Sequence, residues 1–126
     1  MVAGALSVME PRELSLRCAE IARQHKARGL VVMELRELAA FTDYFVICSG
    51  ASDRQVRTIA SAIEEEMAQH GVRPLGVEGM REGRWVLLDY GEVMVHVFQD
   101  PVRRFYDLEG LWFEAPRLLE EPFEER

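Results

Sequence analysis

The chain has 126 residues, 48% hydrophobic and 29% charged, a balance that suits one globular domain and excludes a disordered chain. The formal net charge is −7, with −3 of it in the last fourteen residues, which hold five Glu and two Arg. An acidic body repels phosphate backbones, so a basic protein is the expected partner rather than a nucleic acid read by sequence. No basic segment leads into an apolar one near Met1 and no apolar run reaches membrane-spanning length, so a cytoplasmic location with no membrane partner is expected.

Pro11 stands where a first helical position would be, Leu14, Cys18, Ile21, Ala22 and His25 fall on one stripe, and Gly29 follows as a C-terminal cap. Residues 30–35 read as a strand and residues 44–48 as a second, whose unbroken apolar run implies burial on both faces. Cys18 and Cys48 match no metal spacing and read as reduced core residues. Ser52 and Gln55 form a capping box for a helix with the stripe Val56, Ile59, Ala60, Ile63 and Met67, which Gly71 stops. Residues 72–78 make a shorter, proline-containing strand suited to a sheet edge, and residues 79–83 a loop. Residues 85–90 and 93–98 pair across Gly91-Glu92 as a hairpin. Asp100 and Pro101 then open a last helix as N-cap and first turn, with Val102, Phe105, Leu108 and Trp112 on its apolar side.

Beyond Trp112 the acidic composition with Pro116 and Pro122 reads as a poorly ordered tail, so one domain is expected over 1–112 and a tail over 113–126. The order α-β-β-α-β-β-β-α implies an α/β (α+β) fold, a mixed five-stranded sheet with helices mainly on one face. Part of the other face is then left uncovered.

Side chains alternate across a strand, so the hairpin divides into two faces. Val86, Leu88 and Tyr90 with Val93, Val95 and Val97 suit a core beneath helices. Trp85, Leu87 and Asp89 with Met94, His96 and Phe98 mix aromatics and a methionine with an acid and a histidine, as the centre of a protein interface does. The plainer alternative is a second small core in which Asp89 and His96 pair locally.

Catalysis has one foothold. Residues 49–52, Ser-Gly-Ala-Ser between a strand and a helix start, could hold a phosphate in a nucleotidyl or phosphoryl transferase. Such an enzyme also needs clustered carboxylates for magnesium, and Asp43, Glu78 and Asp89 lie on separate strands. His25, His70 and His96 are dispersed and no nucleophile elbow occurs, so neither a metal, a cofactor nor a catalytic residue is assigned.

Four segments carry a resemblance. They are FTDYFVI at 41–47 leading to SGASDRQV at 49–56, PLGVEG at 74–79, the hairpin at 85–98, and RFYDLE at 104–109 with Leu111 and Trp112. In this order and spacing they resemble the ribosomal silencing factor (Iojap-like) family over roughly residues 30–112. The resemblance implies a nucleotidyltransferase-like fold that is non-catalytic. It also implies binding to the large ribosomal subunit through its fourteenth protein, on the surface facing the small subunit. Occupying that surface blocks subunit joining and represses translation when nutrients are scarce. Free family members tend to form homodimers.

Glu92 stands where the family usually has Asp, and Gly110 interrupts the last helix at a cost of about 1 kcal/mol. With the family in view, the partner-binding set is Trp85, Leu87, Asp89, Tyr90, Met94, His96 and Phe98 with Glu78 and Gly79. Trp85 and Leu87 give apolar contact, Asp89 meets a basic residue, Glu78 and Gly79 shape the adjoining loop, and Tyr106 supports it.

Overall fold

A computed structural model of the chain describes residues 9–123. Helix α1 (Pro11–Gln24) leads into strands β1 (Arg28–Glu34) and β2 (Tyr44–Gly50), then helix α2 (Asp53–Gln69). Strands β3 (Gly76–Glu78), β4 (Trp85–Asp89) and β5 (Val93–Gln99) follow, then the short helices α3 (Asp100–Tyr106) and α4 (Leu108–Leu111) and strand β6 (Arg117–Glu120). The sheet order is β3-β4-β5-β2-β1-β6; β2 and β5 run parallel and every other neighbouring pair antiparallel.

Strand β2 lies at the centre with all seven residues buried, as its apolar run requires, while the proline-preceded β3 forms an edge. The capping box forms around α2: Ser52 Oγ accepts from the Gln55 amide at 3.1 Å. The Gln55 side-chain oxygen accepts from the Ala51 amide at 2.7 Å, rather than from that of Ser52.

Helices α1 and α2 bury Leu14, Cys18, Ile21, Val56, Ile59, Ile63 and Met67 against one sheet face, where Val46, Val86, Leu88, Val95 and Val97 meet them. The second face holds a smaller core of Val31, Met33, Phe45, Ile47 and Phe98, against which Val102, Leu108 and Trp112 pack. Two long helices therefore cover one face, and α3, α4 and the following turn cover part of the other.

Several expectations are corrected. The sheet has six strands, not five, because Arg117–Glu120, inside the segment read as an acidic tail, pairs antiparallel with β1. Alternation in RLLE is too short to announce a strand, and only the open edge of β1 gives its backbone partners. The strand expected over 72–78 shrinks to its last three residues. The last helix begins after Gln99, with Asp100 inside the first turn and its carboxylate paired with Arg28 instead of capping. That helix also breaks at Asp107, a left-handed residue with φ 47° whose carboxylate accepts from the Gly110 amide at 3.1 Å and so starts α4. The break ends the apolar stripe, so Phe105 points outward, 81% exposed, while Val102, Leu108 and Trp112 pack inward.

Candidate functional site

The hairpin register puts Trp85 opposite Phe98, Leu87 opposite His96 and Asp89 opposite Met94, all on the face away from α1 and α2. Strand β2 continues that face, with Phe45 beside Met94 and Ile47 beside His96. Glu78 lies opposite Leu87 on β3, exposed at the sheet edge.

Trp85 organises one end. Its ring lies 4.9 Å from Phe98 and 4.7 Å from Tyr106, and its indole N–H donates to His96 Nδ1 at 3.1 Å. Accepting at Nδ1 places the imidazole proton on Nε2. Burial drives the His96 pKa down from 6.5 to about 3, so the ring is neutral. Its Nε2 is buried without a hydrogen-bond partner, and the ring meets Phe45 edge-on at 4.5 Å. His96 and Phe98, at 4% and 0% exposure, are thus supports beneath the surface, while Trp85, Leu87, Asp89 and Met94 remain half-exposed.

Asp89 has a structural duty: one carboxylate oxygen accepts from the Gly91 amide at 2.8 Å and holds the hairpin turn. Asp89 and His96 make no pair: the register sets Met94 opposite Asp89 and Leu87 opposite His96, and the Asp89 carboxylate turns to the Gly91 amide. Tyr90 belongs to the opposite face, where it packs against the helix-side core, and burial raises its hydroxyl pKa. Gly79, with φ 84°, sits against the carbonyl of Trp85 so closely that any Cβ would collide with it.

Two aromatic groups flank the half-exposed centre. Phe105 meets Tyr106 at 5.0 Å beside Trp85, and on the other side Phe41, 57% exposed, lies 6.2 Å from Phe45 and 6.1 Å from Trp112. Phe41 and Phe105 were not expected in a site; their placement follows from a loop and a helix break that no periodicity reveals.

Sequence reasoning also missed Arg103, which is 1% exposed. Its guanidinium donates to the Glu109 carboxylate at 2.6 and 2.9 Å, to Ser49 Oγ at 2.9 Å and to the Gly29 carbonyl at 2.8 Å. The Phe123 ring covers it at 4.0 Å. One side chain thereby ties α3 and α4 to the ends of β1 and β2.

The same bonds occupy the supposed phosphate loop. Ser49 is buried against Arg103, Ser52 caps α2, the Ala51 amide is taken by Gln55, and a Cβ at Gly50 would sit 3.2 Å from Val56. Among the described residues no three His, Cys, Asp or Glu side chains gather to hold a metal ion. Cys18 and Cys48 are free and buried, and desolvation raises both thiols to about 12. No helix among the described residues is long and apolar enough to cross a membrane.

Comparison with known proteins gives a consistent picture. The family model described as ribosomal silencing factor during starvation matches residues 8–126, a longer stretch than the four segments span. Ribosomal silencing factor RsfS of Bacillus subtilis is 41% identical over 91 residues, 72% of this chain and 77% of that protein. The chloroplastic protein Iojap of Arabidopsis thaliana is 29% identical over 93% of this chain and 48% of its own length. Crystal structures of a Chromobacterium violaceum protein and a Bacillus halodurans protein, each 33% identical, superpose with TM-scores of 0.81 and 0.76. They cover 83% and 86% of this chain, and 88% and 98% of their own chains.

Proposed function

This chain belongs to the ribosomal silencing factor family, and on that premise we propose that it docks on the large ribosomal subunit through the subunit's fourteenth protein and keeps the small subunit from joining. The mechanism is steric occupancy, repressing translation under nutrient limitation. It needs no cofactor and no turnover, and it operates in the cytoplasm, with the free protein a homodimer. The docking set is Trp85, Leu87, Asp89 and Met94 at the surface, His96 and Phe98 beneath, and Glu78 and Gly79 at the edge.

The observation that carries this reading is the half-exposed apolar centre, Leu87 and Met94, held between two aromatic groups on the sheet face that α1 and α2 leave open. Interfaces place their binding energy in such apolar centres with aromatic anchors. Asp89, with Asp43 and Glu92 at the same end of the sheet, gives that end the sign a basic protein requires. The transferase alternative lacks an open phosphate cradle, since the 49–52 loop spends its groups internally.

The test is sedimentation of the protein with large subunits through a sucrose gradient, together with the fraction of joined ribosomes. Leu87→Arg with Met94→Arg should abolish comigration and restore joining while thermal melting stays near that of the unmodified protein. These positions are preferable to Asp89, whose loss would also open the Gly91 turn. Comigration that survives both arginines places the interface elsewhere.

A further inference from the structure

The fold sorts its charges toward the two ends of the strands. At one end lie Glu34, Glu37, Asp43, Asp89 and Glu92, with Arg36 and Arg117 as cations among them. At the other, where β1 begins and β2 and β5 finish, lie Lys26, Arg28, Arg54, Arg57, Arg81 and Arg84, against Asp53, Glu82 and Asp100. On the β6 side Glu109, Glu120 and Glu121 also reach this end, paired with Arg103, Arg117 and Arg23. Arg28 is neutralised by Asp100, and Arg57 lies 3.7 Å from Asp53 while donating to the Arg81 and Glu82 carbonyls. Lys26, Arg54, Arg81 and Arg84 are exposed and form no ion pair among the described residues.

These cations come from three elements that the fold brings together. Gln55 of α2 donates to the Lys26 carbonyl, and Arg57 holds the loop before β4. Along α2 an open cleft of about 500 Å³ is lined by His25, Arg54, Arg57, Thr58 and Ser61, with Glu65 at its far side. The Arg54 guanidinium and two hydroxyls are donors suited to phosphate oxygens, while Arg57 is turned to Asp53 and the loop carbonyls and His25 lies 3.7 Å from Glu66. The four unpaired cations spread along the end of the sheet instead of converging on one point, which fits a chain of phosphates better than a compact anion. Arg84 directly precedes Trp85, so the row continues the docking face around its tryptophan end.

We infer that this basic end of the sheet grips the ribose-phosphate backbone of large-subunit RNA beside the docked protein, by charge and without reading bases. The inference rests on the docking reading above. An acidic chain can make such contact because the field at a short distance follows local charges, with those beyond about 8–10 Å screened.

The experiment measures affinity for purified large subunits as salt is raised, comparing the unmodified protein with Arg54→Gln/Arg81→Gln/Arg84→Gln. A control, Arg12→Gln/Arg17→Gln/Arg73→Gln, makes the same change in net charge away from the basic end. Each lost phosphate contact flattens log K against log salt by about 0.7 to 0.9. Three therefore flatten it by about 2 to 3, so a fourfold rise in salt should weaken the unmodified protein about 20- to 40-fold more than the first variant. The control should keep the full slope, and both variants should melt as the unmodified protein does.

Equal slopes for the unmodified protein and the first variant overturn the inference and leave the docking reading standing. So does weaker binding at every salt with an unaltered slope, which points to an acidic protein surface instead. A control that flattens as much as the first variant shows net charge at work and overturns it too. No binding of the unmodified protein to large subunits overturns both readings together.

Discussion

Replacing Arg103 with methionine keeps most of the side-chain volume and removes the guanidinium. The change leaves the Glu109 carboxylate, Ser49 Oγ and the Gly29 carbonyl without their donor. Breaking a buried ion pair by removing one partner costs about 3–5 kcal/mol, because the other charge is left uncompensated. The Glu109 side chain keeps 19% exposure and recovers some hydration, so the lower bound applies, about 3 kcal/mol. For a chain of this length, that lowers the melting midpoint by about 12 °C. Thermal and urea denaturation followed by far-ultraviolet circular dichroism read the loss.

Adding Glu109→Gln to Arg103→Met removes the stranded charge and should restore about 1–2 kcal/mol. Because α3 and α4 carry Tyr106 and lead to Trp112, loosening them should also shift tryptophan fluorescence toward the solvated value. A cost below about 1 kcal/mol for Arg103→Met, or strictly additive losses in the double variant, would refute the claim that this ion pair clamps the second sheet face.

Two further outcomes follow from the site. Folding depresses the His96 pKa from 6.5 to about 3, so the unfolded chain takes up a proton that the folded chain refuses. Stability is therefore full above pH 6.5 and declines as pH falls toward 3, by about 2 kcal/mol at pH 5. His96→Gln should lack this decline in urea titrations at pH 7 and 5, and parallel curves for the two proteins would contradict it. Gly79→Ala should cost more than about 1 kcal/mol and weaken comigration with large subunits, since a Cβ there displaces the Trp85 carbonyl. Gly76→Ala, which meets nothing within 4 Å, should stay within about 0.5 kcal/mol, and equal losses at both glycines would remove Trp85 from the explanation.

Most of the regular elements were legible because their signals are local. A serine and a glutamine three residues apart start α2, an unbroken apolar run makes β2 central, and alternating valines around Gly91 pair β4 with β5. The split of the hairpin into a helix-facing row and a row with Trp85, Leu87, Asp89 and Met94 follows from the same two-residue period. The family was legible too, since four segments in register do not depend on knowing the packing.

What remained hidden depends on residues far apart in the chain. Strand β6 exists because β1 offers it an open edge more than eighty residues back, and Arg103 is buried because Ser49 and Gly29 converge on it. The αL turn at Asp107 decides that Phe105 faces outward, and the pairing of Trp85 with His96 decides which of six hairpin side chains reach the surface. Net charge describes an acidic chain, yet only the register of the strands separates its ends into an acidic and a basic pole. Local periodicity sets which way a side chain points; what it meets there is set by contacts between distant segments, and such contacts leave no local pattern.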